Sequence, residues 1–422
     1  MTRRFQSEFI NNSLKLLSSN AIAQTVGLLI YPLLTRIYAP EDFGLASLFL
    51  SIGGVVTLFA TAEYQYAIML PKSDYKAAAI FHTGFFMALG VALLCLLTVP
   101  FATPIANLFN APALSDWYFL LPVFVFVSAL WALLNYWYTR HKKFTPISTY
   151  QLTQSFFGAG SKYGLGLLNF TGGGLIISTV LAPILSLTIT ISTAFKKTLK
   201  PLLTLDITAC KTVAKEYANF PKFALPRSVV NTISGSLPIL LLTPFFGLAE
   251  IGFFGMALTL AFRPINMISG SLYQVFFQRT AEHVQNKKTI LPFFKKFIRN
   301  TTLIVVPSFA ALYFVLPWLT EWLLGEGWKV TGEYIRIMLP WLLMSSLVAP
   351  ICYVSDIFQK QKVALFFEIL LVLSRIIGIF IGIYANDFRV ALIGYCVGSA
   401  VVIFAQLIWH ISLVINYESH RD

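Results

Sequence analysis

Glu63, Lys162, Arg227, Arg263, Glu368 and Arg375 stand inside stretches of chain that are otherwise apolar. A charged side chain at the centre of a membrane helix costs about 2.5–3.5 kcal/mol, so such residues face a water-filled cavity, a partner or the membrane rim. Four of the six are cationic, and a cavity of that sign suits an anion. The guanidinium fork fits phosphate oxygens because it donates two parallel hydrogen bonds. At about 1.5 Å per residue, Arg263 and Arg375 fall near mid-membrane. Glu63, Arg227 and Glu368 fall in the cytoplasmic third, and Lys162 in the outer half. Glu368 and Arg375 are two turns apart and share one helix face. Plainer roles stand beside these: Arg227 pairing with Glu63, and Lys162 or Glu368 reaching to an interface. Glu63 and Glu368 are also the candidates for a coupling ion, since a carboxyl taken out of water binds a proton more readily.

No catalytic set accompanies these charges. Cys95, Cys210, Cys352 and Cys396 have no short mutual spacing, so neither a disulfide framework nor a metal site is expected. The outer segments near 100–116 and 321–333 are short and offer mainly Asp116, Glu321, Glu326 and Glu333, which read as solvated loop acids. Gly158-Ala159-Gly160-Ser161-Lys162 lacks the glycine directly before the lysine and the Ser or Thr after it that a phosphate loop needs. Its small residues four apart suit close helix packing instead. The expectation is a non-enzyme without a resident cofactor, proton or sodium coupling being left open.

The elements that must position the charges are membrane helices. Of 422 residues, 57% are hydrophobic and only 12% charged, about half the charge of a soluble domain. Apolar runs predict twelve spans near 14–37, 43–69, 77–99, 117–138, 146–168, 173–195, 221–246, 250–276, 299–320, 334–354, 363–384 and 388–416. The net charge of +13 lies in short loops rather than on one soluble face, which argues against nucleic acid. With the N-terminus inside, Arg3, Arg4, Lys15, Lys72, Lys76, Arg140, Lys142 and Lys143 are cytoplasmic. So are Lys196, Lys197, Lys200, Lys211, Lys215 and Lys222 of the central loop, then Arg279, Lys287, Lys288, Lys295, Lys296, Arg299, Lys360, Lys362 and Arg421. The outer segments hold only Arg36, Lys329, Arg336 and Arg389. That asymmetry predicts both termini in the cytoplasm. Ala21-Ile22-Ala23 precedes most of the first apolar run, so a retained helix is expected rather than a cleaved leader.

Leu33-Leu34-Thr35-Arg36-Ile37-Tyr38-Ala39-Pro40-Glu41-Asp42-Phe43-Gly44 returns, in the same register, as Leu241-Leu242-Thr243-Pro244-Phe245-Phe246-Gly247-Leu248-Ala249-Glu250-Ile251-Gly252. The fold expected is therefore all-α and integral to the membrane. About twelve transmembrane helices form two parallel six-helix repeats, related by a pseudo-twofold axis along the membrane normal. The lobes expected are 1–199 and 221–422, joined by a cytoplasmic linker 200–220 with an amphipathic helix near 207–218. Paired lobes can open a shared cavity to each side in turn. Pro226, beside Arg227, and Pro264, beside Arg263, are expected bend points.

Arg36-Ile37-Tyr38-Ala39-Pro40-Glu41-Asp42-Phe43-Gly44 resembles the first outer turn of Wzx-type polysaccharide flippases, the polysaccharide branch of the multidrug/oligosaccharidyl-lipid/polysaccharide superfamily. Tyr138-Thr139-Arg140-His141-Lys142-Lys143-Phe144 and Glu216-Tyr217-Ala218-Asn219-Phe220-Pro221-Lys222-Phe223-Ala224-Leu225-Pro226 are similar to the same family. The resemblance implies a bacterial inner-membrane flippase. Its substrate would be an undecaprenyl-pyrophosphate-linked oligosaccharide, an O-antigen or capsule unit, moved from the cytoplasmic to the periplasmic leaflet. It implies alternating access around a cationic cavity, which Arg227, Arg263, Arg375 and Lys162 would match in kind. It also implies membrane lipids around the protein, with a polysaccharide polymerase and chain-length regulator as partners. The nearest rival is a drug or metabolite antiporter of the same superfamily, whose cavity should be net anionic.

Overall fold

Backbone in hydrocarbon must satisfy its hydrogen bonds within its own segment, so long apolar runs fold as helices. The computed structural model describes residues 18–194, 198–285, 289–352, 354–358 and 360–419, and the regular structure among them is helical. Arg3, Arg4, Lys15, Lys196, Lys197, Lys287, Lys288 and Arg421 of the expected inner charge set lie outside the described residues.

Helix α1 covers residues 18–29 and is followed by a short turn of helix, Tyr31–Leu34. Then come α2 (Pro40–Thr61), α3 (Asp74–Leu97), α4 (Leu121–Arg140), α5 (Phe144–Leu167) and α6 (Gly174–Ala194). A shorter helix, α7 (Ile207–Glu216), follows. After it run α8 (Leu225–Gln285), α9 (Leu291–Leu324), α10 (Lys329–Val348), α11 (Gln361–Ala385) and α12 (Phe388–Ser419). Nine described stretches are long and apolar enough to cross a membrane by length and composition. The stretch Phe220–Arg263 among them contains the one break in α8, at Gly247 (φ 81°), so α8 supplies two of the expected spans. α1 and the more polar α5 supply the others. This is a multi-pass membrane protein.

Local chemistry sets the ends. Pro40 occupies the first turn of α2, where its missing N–H costs nothing. The Asp42 carboxylate accepts the Ala39 N–H at 2.9 Å, and acids in a first turn favour the helix dipole. α11 stops at Asn386, which takes the left-handed conformation and returns its N–H to Ile383.

Two expectations need correction. The run 43–69 does not continue as one helix: α2 ends at Thr61, and Ala62 and Glu63 both take positive φ (46° and 64°). Glu63 therefore sits in a turn rather than within a span. α8 keeps helical dihedrals through Pro264 and has its break at Gly247, which was not among the expected bend points. Pro226 is the second residue of α8, a position where proline fits without bending.

The chain divides into two compact units, Met1–Gly252 and Phe253–Asp422. In the first, α4 packs on α2 and α3, α6 on α5, and α7 on α3. Its core includes Trp137, Tyr138, Phe81, Ile80 and Ile147. In the second, α11 packs on α12, and α10 on both α9 and α12. The α11–α12 seam is built from small residues: Gly378 against Gly394, Gly382 against Ala391, and Gly398 against Ser374. Such residues let membrane helices approach backbone to backbone.

Candidate functional site: two buried charges

Arg375 lies on that seam. It shares the buried face of α11 with Gly378, Ile379 and Gly382, and only 7% of it is exposed. Its Nε donates to Ser399 Oγ on α12 at 3.0 Å. The guanidinium lies 4.9 Å from the Tyr395 ring centre and 5.3 Å from that of Trp341. The two rings stand edge-on, 5.2 Å apart at 89°. An arginine over desolvated aromatic faces gains about 2 kcal/mol from the ring quadrupoles, which offsets part of the cost of burying it. The result is a cation fixed in direction by three helices, α10, α11 and α12. A fixed positive charge in apolar surroundings favours an anion over a cation at any adjoining surface.

Arg263, half-buried on α8, follows Phe262, whose ring centre lies 5.2 Å from that of Trp341. The structure thus brings the neighbour of Arg263 and the guanidinium of Arg375 to the same indole. Glu368, also on α11, is half-buried. Trp341, Tyr395 and Ser399 had no sequence signal of their own: an aromatic or a serine in a long apolar helix is ordinary packing material.

The other buried charge belongs to the first unit. Glu63 is 1% exposed, and its Oε2 accepts the Gln65 Nε2–H at 2.7 Å. Left-handed backbone at two successive non-glycine residues costs about 1–3 kcal/mol each, and here it turns the carboxylate into the core. Among the described residues neither Glu63 nor Arg227 takes part in an ion pair. Arg227 is exposed in the first turn of α8. Lys162 is half-buried on α5, where its backbone carbonyl accepts the Tyr38 hydroxyl at 2.7 Å. Gln65 Oε1, Tyr138 Oη and Ser148 Oγ are buried in this unit without a hydrogen-bond partner among the described residues. No group of three or more His, Cys, Asp or Glu able to hold a metal ion occurs among those residues.

Arg140, in the motif at the end of α4, acts as a tie. Arg140 donates from Nε to Asp74 at 3.0 Å, and from its two terminal nitrogens to the carbonyls of Ile68 and Lys72. That fork joins the end of α4 to the start of α3.

The profile of one protein family, described as polysaccharide biosynthesis protein, matches residues 33–333. No curated protein matches the sequence. Among solved structures, an inward-facing multidrug resistance MATE family transporter of the MOP superfamily superposes with a TM-score of 0.70 at 16% identity, over 96% of this chain and 99% of that one. The lipid II flippase MurJ, in an inward closed conformation, gives 0.67 at 14% identity, over 96% and 87%. A MOP superfamily transporter from Pyrococcus furiosus, described as having a binding pocket of reverse polarity, gives 0.52 at 15% identity, over 96% of each chain. At these identities the likeness shows the fold: the chain has the twelve-helix fold of these transporters.

Proposed function

The chain belongs to the polysaccharide biosynthesis protein family, and on that premise we propose that it is an alternating-access flippase for an undecaprenyl-pyrophosphate-linked oligosaccharide. The cargo moves from the cytoplasmic to the periplasmic leaflet of a bacterial inner membrane, and both termini of the protein are cytoplasmic. The observation that carries the reading is the family match over 33–333 on a fold shared with a lipid II flippase. The charge balance within the spans supports it. Lys162, Arg227, Arg263 and Arg375 outnumber Glu250 and Glu368 there, and a pyrophosphate carries the complementary sign.

In this reading Arg375 and Arg263 draw the pyrophosphate away from water, while Arg227 and Lys162 serve it nearer the two faces. Burying Arg375 among Trp341, Tyr395 and Ser399 holds the charge in place before the substrate arrives, so little ordering remains to be done on binding. Glu63 and Glu368 are assigned to a coupling proton or sodium ion. Glu63 is supported by its burial and by a single neutral donor, Gln65. A polymerase and a chain-length regulator would take the delivered units.

Deleting the gene tests the reading. Loss of surface polysaccharide, with lipid-linked units accumulating on the inner leaflet, is expected. Unchanged surface polysaccharide together with raised sensitivity to organic cations would favour the antiporter instead.

A further inference from the structure

The segment 200–216 of the first unit carries an outward-facing apolar ridge with lysines around it, and we infer that it is a docking surface for anionic phospholipid headgroups. Leu203, Leu205 and Ile207 are 63%, 51% and 60% exposed. Thr204 and Asp206 have extended backbone (ψ 101° and 104°), so alternate residues of this stretch point to opposite sides. Asp206 points the other way, toward the start of α3: it accepts the Tyr75 hydroxyl and the Ala209 N–H, the latter at 3.0 Å, capping α7. The three apolar side chains therefore point together away from the protein.

The depth of the ridge follows from its ties to α3. The Leu202 carbonyl contacts His82 Nε2 at 2.9 Å, eight residues inside α3 and so about 12 Å along it. Asp206 reaches Tyr75, in the first turn. Between them the chain climbs from a level where α3 is already apolar to its polar end. Leu203 and Leu205 lie on that climb, at the depth where amphipathic segments bury their apolar side, about 5–10 Å into the boundary between headgroups and acyl chains.

The charges complete the match. Ile207, Lys211 and Lys215 recur every four residues and line one face of α7. Lys200, Lys211 and Lys215 are exposed and have no ion pair among the described residues. Both acids of this segment are already paired, Asp206 with Tyr75 and Glu216 with Lys76 in a surface ion pair at 2.7 Å. The charges left without an ion pair on this face among the described residues are cationic, and they stand beside the exposed apolar side chains. A surface of that kind is drawn to an anionic membrane by each of its lysines.

The test uses the full chain in lipid nanodiscs, with a spin label on Leu205→Cys or Ile207→Cys in a Cys352→Ser background. Collision with oxygen against a nickel chelate reports depth. In discs containing phosphatidylglycerol both labels should lie on the acyl side of the phosphates, and in pure phosphatidylcholine they should shift toward water. The pair Lys211→Glu and Lys215→Glu should cause the same shift in the phosphatidylglycerol discs. Aqueous exposure in both lipids overturns the inference, and so does equal immersion in both. Immobilisation without immersion would mean a protein partner and overturns it as well.

Discussion

Gly44 on α2 and Gly252 on α8 each lie against the backbone of the other's helix, and the contact is reciprocal. A β-carbon on Gly44 would overlap the Leu248 carbonyl oxygen and come within 3.1 Å of the Gly252 nitrogen. One on Gly252 would overlap the Pro40 carbonyl oxygen and come within 3.1 Å of the Gly44 nitrogen. Gly44 and Gly252 are the matched last residues of the two copies of the sequence repeat, and Pro40 and Leu248 are matched as well. The two copies thus cross each other in register, backbone to backbone.

Because the obstructing atoms are carbonyls rather than movable side chains, Gly44→Ala and Gly252→Ala should each destabilise the protein by about 1–3 kcal/mol. Thermal unfolding in detergent would show a clear fall for each. Since both changes force the same two helices apart, the double variant should cost less than the sum of the singles.

The aromatic box around Arg375 separates two effects. Ser399→Ala leaves the buried Nε–H without its acceptor and should cost about 1–3 kcal/mol of stability. Tyr395→Phe keeps the ring face beneath the guanidinium and should change stability little. Measuring both unfolding curves checks the assignment; equal effects would contradict it.

For transport, Arg375→Met should lower translocation at least about tenfold, the size of one lost charge-assisted hydrogen bond. Arg375→Lys should fall between it and the parent, because an ammonium keeps the charge and loses the planar fork. Translocation in proteoliposomes, normalised to folded protein, provides the reading.

If Glu63 or Glu368 carries a coupling proton, Glu63→Gln or Glu368→Gln should flatten the pH dependence of transport. Unchanged pH profiles in both variants would end that assignment.

The linker cap should respond to acid. The Tyr75 hydroxyl, helped by the Ala209 N–H, holds the Asp206 carboxyl below its ordinary value of 3.8. A depressed acid contributes its stabilisation above the unfolded value and loses it as pH falls through the lower folded one. Hydrogen exchange across 207–216 should therefore rise below about pH 4 in the parent. In Asp206→Asn it should already be faster at neutral pH, with no further rise on acidification.

Much of the fold could be read because hydrocarbon leaves a chain few options. Each of the twelve apolar runs contains a helix or an arm of one, the linker helix formed at Ile207–Glu216, and the break at Gly247 falls between two expected spans. The break at Ala62 and Glu63 could not be read, since neither residue is one that ordinarily signals left-handed backbone. The mid-helix position of Arg375 was legible from simple counting. Its box was not, because Trp341 comes from α10 and Tyr395 and Ser399 from α12, and only packing brings them to one guanidinium on α11.

On the proposed function, a lipid-borne anion crosses through this protein. Purified protein in proteoliposomes, given an undecaprenyl-pyrophosphate-linked oligosaccharide in one leaflet, should deliver it to the other, where a lectin or glycosidase can reach it. Arg375→Met should slow that delivery. Leaflet exchange no faster than in protein-free vesicles, with organic cations carried instead, would contradict the account.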